Sequence, residues 1–129
     1  MNEERFEEFY RSAARFRHVS PQLKSLLRHV YAAAVTRPAD LRYLKNAMES
    51  LLSFLATEGG RTDANCCTTD AFFSAVDEWE RDWSDLPENF RDVLDDLGGA
   101  LHDTVHAPHI ASNFESLPEQ LLQRVRKIV

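Results

Sequence analysis

Apolar residues recur at close to 3.6-residue spacing along almost the whole chain, and the two-residue alternation of a half-buried strand is never sustained. Stripes of this kind are buried by packing helix on helix, so an all-α, single-domain bundle of five to six helices spanning 1–129 is expected. At 129 residues one core can bury roughly two thirds of the unfolded surface without a disulfide or metal to hold it.

The stripes and their punctuation place the helices. Phe6, Phe9, Tyr10, Ala13 and Phe16 share a face of a first helix over about Glu3 to Arg17. Ser20-Pro21 then offers an N-cap and a first-turn proline for a second helix running to about Val35 on Leu23, Leu26, Leu27, Val30 and Ala34. Pro38 is expected to open a third, with Leu41, Leu44, Met48, Leu51, Leu52 and Leu55 inward, stopping at Gly59-Gly60. The fourth start is ambiguous among Thr62, Asp63, Thr68, Thr69 and Asp70, but Phe72, Phe73, Val76, Trp79 and Trp83 make one apolar face ending near Ser84. Asp85-Leu86-Pro87-Glu88 and Ser116-Leu117-Pro118-Glu119 both read as capping boxes. They precede a fifth helix on Leu86, Phe90, Val93, Leu94, Leu97, Leu101 and Val105, and a sixth on Leu121, Leu122, Val125 and Ile128. Pro108 should stop the fifth near His106 or Ala107. Three or four long helices should form the bundle, with the first and sixth as shorter additions.

No apolar run approaches the ~18 residues that a membrane span needs, and the polar start Met1-Asn2-Glu3-Glu4-Arg5 is no signal peptide. Cys66 and Cys67 are chain neighbours, with Cα atoms about 3.8 Å apart, too close for an ordinary disulfide, and they lack the spaced pairs of a zinc site. A cytoplasmic protein with no membrane contact is the expectation.

The formal net charge of −6 hides a segmental asymmetry. Through Lys45 there are nine basic and five acidic residues; from Asn46 to Ser116 three basic and fifteen acidic; from Leu117 three basic and one acidic. Complementary faces of this kind dock within a chain or between copies, or remain solvated helix surfaces. Arg11, Arg15, Arg17, Lys24 and Arg28 form a modest basic strip, but the acidic balance and the lack of interleaved exposed aromatics argue against nucleic acid.

Chemistry concentrates in the fifth helix. Three of the five histidines fall within His102-Asp103-Thr104-Val105-His106-Ala107-Pro108-His109. On a helical wheel Asp95, His102 and His106 lie within about 40° of one another at one border of the apolar sector, while Asp92, Asp96 and Asp103 point away. Asp103 therefore does not complete a zinc-protease motif, which carries glutamate at that place as general base. A metal site here would use His102 and His106, with Asp95 or a residue of another helix as third ligand, and zinc or another divalent ion would suit that mixture.

Gly98-Gly99 sits inside the same helix, where each glycine costs up to about 1 kcal/mol against alanine. Close approach of another helix is the expected compensation. Trp79 and Trp83, one turn apart among Glu78, Glu80, Asp82 and Asp85, belong to the core or form a partner-binding patch. No phosphate-binding glycine loop, G-x-S-x-G elbow or cysteine-protease signature occurs. The expectation is a non-catalytic, cofactor-free interaction or regulatory module that docks a protein partner or self-associates through Trp79, Trp83, Gly98 and Gly99. The alternative is a metal-dependent all-helical hydrolase built on His102, His106 and Asp95.

Overall fold

The computed structural model describes residues 3–15, 18–36, 40–79, 86–106 and 116–128, with 77–79 and 106 described by backbone alone. Among the described residues the stripes become six α-helices: α1 Glu3–Ala13, α2 Pro21–Val35, α3 Leu41–Leu55, α4 Asp63–Trp79, α5 Glu88–His106 and α6 Leu117–Arg126. The fold is an all-α single domain, with no strand among the described residues. α3 lies against α2 and α6, α6 against α5, α5 against α4, and α4 against α1 and α2, closing a ring around one core. The sixth helix is thus part of the ring rather than an addition to it. Its stripe buries Leu121, Leu122 and Val125, and Ile128 just beyond its end.

α1 stops at Ala13, short of the expected Arg17, and Ala14 and Arg15 form a turn. The small side chains of Ala13 and Ala14 offer little area to stabilise another helical turn. Phe6 anchors the helix: its ring centroid lies 5.7 Å from Tyr31 of α2 and 6.3 Å from Phe72 of α4. On the outside, Glu7 accepts from Lys24 at 2.9 Å and Arg28 at 2.5 Å, which holds its carboxyl below the ordinary range through those two hydrogen bonds. That contribution is present above the ordinary glutamate pKa of 4.5 and is lost as pH falls through the lowered folded value.

The caps depart from expectation at several ends. Ser20 occupies the N-cap of α2, but its side chain makes no capping bond; its hydroxyl instead accepts from the Asn65 side-chain amide at 3.0 Å. α3 begins at Leu41 with Asp40 accepting from the Tyr43 N–H at 3.1 Å; Pro38 lies outside the described residues. α3 also ends at Leu55, four residues before the glycine pair. There the Thr57 hydroxyl donates to the Phe54 carbonyl at 2.7 Å and the Arg61 guanidinium to that of Ala56 at 2.6 Å, satisfying carbonyls that a helix end leaves open. Thr62 settles the start of α4, its hydroxyl accepting from the Asn65 N–H at 3.2 Å. Thr68 and Thr69, the rival caps, are buried inside the helix.

Of the two expected capping boxes, the one at Asp85 falls outside the described residues and the one at Ser116 is not formed. α5 starts at Glu88, and Asp85 lies outside the described residues. Ser116 has helical backbone angles and no capping bond; its hydroxyl accepts from Gln120 at 3.3 Å.

Asn65, fully buried, ties three segments together. It accepts from the Ser20 N–H at 3.0 Å and donates to the Ser20 hydroxyl and, at 3.1 Å, to the Gly60 carbonyl. Beside it Cys66 is buried and Cys67 half-buried, both as free thiols. Burial, the largest cause, pushes the Cys66 thiol from 9.0 up to about 11. Iodoacetamide at pH 8 should therefore label Cys67 in the folded chain and reach Cys66 only on unfolding, since the thiolate is the nucleophile. Equal labelling rates would mean that the start of α4 opens locally. Because the unfolded chain ionises this thiol first, stability should also fall as pH climbs from about 9 towards 11.

Candidate functional site

α4 and α5 lie side by side, and along one flank their side chains leave a cleft of about 230 Å³. Its walls are Asp70, Phe73 and Ser74 from α4, and Leu94, Asp95, Gly98, Gly99 and His102 from α5. Phe73 and Leu94 are buried and form an apolar floor, whereas Ser74, Asp95, Gly99 and His102 are exposed at the rim.

The glycines explain the opening. A Cβ placed on Gly98 or Gly99 meets nothing within 4 Å. The expected close approach of another helix is therefore not what compensates for them, and among the described residues nothing covers the α5 backbone here. Alanine at either position should stabilise the free protein by about 0.8–1.0 kcal/mol, through helix propensity alone. A thermal melt showing the opposite sign would mean that the space is needed within the fold.

The other candidates separate by helix side. Asp95 and His102 share the cleft, and Asp103 is exposed outside its lining. Asp96 turns to α6, where Arg124 binds it at 2.6 Å, and Asp92 lines a different groove with Arg124 and Lys127. The Arg124–Asp96 pair joins the basic tail to the acidic middle; both side chains are exposed, so it contributes about 0–1 kcal/mol. His106 lies in α5, but its side chain is outside the described residues, as is that of Trp79; Trp83 and His109 lie wholly outside them. Among the described residues no three His, Cys, Asp or Glu side chains are grouped to hold a metal ion.

Sequence reasoning missed the α4 wall. In the sequence Asp70 stands out as a capping candidate, yet Asp70, Phe73 and Ser74, at i, i+3 and i+4, occupy one face of α4. A larger groove of about 480 Å³ runs past His29, Arg42, Tyr43 and Asn46, but those walls are exposed side chains and only Ala47 supplies a buried surface. Among the described residues, no helix is long and apolar enough to cross a membrane.

The basic strip is partly engaged within the fold, since Lys24 and Arg28 both bind Glu7. Comparison with known families, characterised proteins and solved structures finds no match to this chain.

Proposed function

We propose that the protein is a small interaction or regulatory module that docks a protein partner through the α4–α5 cleft, and that it is not itself a catalyst. The observation that carries this reading is the bare backbone at Gly98-Gly99, whose cost to helix stability no contact among the described residues repays. Small residues at a helix surface let a second backbone come close. The partner is another protein or a second copy of this chain; the acidic middle and basic start are compatible with either. A cytoplasmic setting fits the free thiols.

A photo-crosslinking residue in place of Ser74, at the cleft rim, should capture the partner in the source cell, and that partner should then bind the purified protein. Gly98→Leu should weaken the reconstituted complex at least tenfold. A Cβ at Gly98 meets no described atom within 4 Å, so the fold should survive the substitution. Unchanged affinity would overturn docking at this face, and measurement of the mass in solution shows whether the captured partner is a second copy.

The rival, a metal-dependent hydrolase, has Asp95 and His102 on one cleft wall, but among the described residues no three such side chains are grouped to hold a metal ion, so His106 or a residue outside them would have to complete the site. Zinc retained in near-stoichiometric amount and lost on His102→Ala or His106→Ala would establish that reading in place of the first.

A further inference from the structure

We infer that the group received by the α4–α5 cleft is an arginine side chain presented by a partner helix; this rests on the docking reading above. Size comes first. At about 230 Å³ the cleft falls below the roughly 300–1,000 Å³ of ordinary small-molecule sites, and it suits one long side chain.

Its chemistry selects the kind of side chain. Asp70 and Asp95 reach the cleft from different helices, within a segment of fifteen acidic and three basic residues. A planar guanidinium can bridge carboxylates with its fork of donors while its face and methylene stem lie on an aromatic floor, here Phe73. A lysine ammonium, more strongly hydrated and without the fork, gains less from that geometry.

The surroundings indicate what carries it. Among the described residues nothing stands over a Cβ placed on Gly98 or Gly99, which leaves a partner backbone able to come close to α5, the approach needed if a side chain is to reach past the rim. Among the described residues the exposed large hydrophobic side chain is Tyr43, on α3 outside this cleft, so charge and hydrogen bonding must supply most of the attraction here. Such an interface should weaken with salt.

The test titrates the full chain with a designed amphipathic helical peptide bearing arginines along one edge, and with the same peptide carrying glutamine in their place, following the amide resonances of Gly98 and Gly99. The arginine peptide should shift both glycines. Binding should fall at least tenfold for the glutamine peptide, for the Asp70→Asn, Asp95→Asn protein and for Gly98→Leu, while Asp103→Asn, outside the cleft, should change it less than twofold. Gly98→Leu keeps the test decisive if the paired aspartate substitutions disturb folding. Unmoved glycines, or equal binding to the substituted cleft, would overturn the inference. Equal binding of the glutamine peptide at the glycines would overturn arginine recognition and leave docking intact; docking itself fails if substitution at the glycines spares the crosslinked partner.

Discussion

Leu51→Ala should destabilise the protein by roughly 2 to 5 kcal/mol, measured by denaturant unfolding. Leu51 is 0% exposed in the second half of α3, the helix that links α2 to α6. The loss combines the transfer free energy of the removed methyl groups with a cavity that neighbours on both sides cannot easily close. Leu44, Met48, Leu52 and Leu55 are buried on the same stripe, so a local collapse would disturb two interfaces together. A loss below 1 kcal/mol would mean that the α3 face is less tightly packed than its burial implies.

Gly60→Ala should cost upwards of about 1–3 kcal/mol, the usual penalty for forcing atoms into filled space, whereas Gly59→Ala should be nearly neutral. A Cβ on Gly60 would strike the Phe54 carbonyl, with its carbon at 2.7 Å and the Thr57 hydroxyl at 2.9 Å, while one on Gly59 meets nothing within 4 Å. Backbone cannot yield as the end of a flexible side chain does. Displacing Gly60 also strains its N–H bond to the Thr57 hydroxyl at 3.0 Å and the bond from Asn65 to its carbonyl. Leaving those buried groups unpaired would add to the loss. Similar unfolding midpoints for the two alanine variants would show that this turn adjusts freely.

Helix number, type and inward faces were legible because burial follows the 3.6-residue repeat: Leu23, Leu27, Leu44, Met48, Phe90, Leu97 and Leu121 all lie where the stripes put them. Helix ends were less legible, because a capping oxygen is a local signal that tertiary partners can redirect. Ser20 and Ser116 stand where caps belong, but their hydroxyls accept from Asn65 and Gln120 instead. The end of α3 depends on Thr57 and Arg61 folding back onto its carbonyls, a geometry that no periodicity encodes. Tyr31 was missed as a core residue because its hydroxyl makes it look amphipathic, yet it is fully buried against Phe6.

The candidate site was half legible. Asp95, Gly98, Gly99 and His102 share the side of α5 that their spacing gives them, whereas Asp70, Phe73 and Ser74 join only once α4 packs alongside. The glycine pair drew notice as an unfavourable choice inside a helix, but its purpose could not be read from α5 alone. Only with α4 alongside is it visible that no described atom fills the space above it.

Docking at the cleft is tested most directly by measuring stability and partner affinity on one protein, Gly98→Ala, Gly99→Ala, with the partner captured from position 74. Two alanines should raise the unfolding midpoint by roughly 5 to 10 °C, and their methyl groups should hold the partner backbone away and weaken the complex at least tenfold. A raised midpoint with unchanged affinity would contradict docking over the glycines.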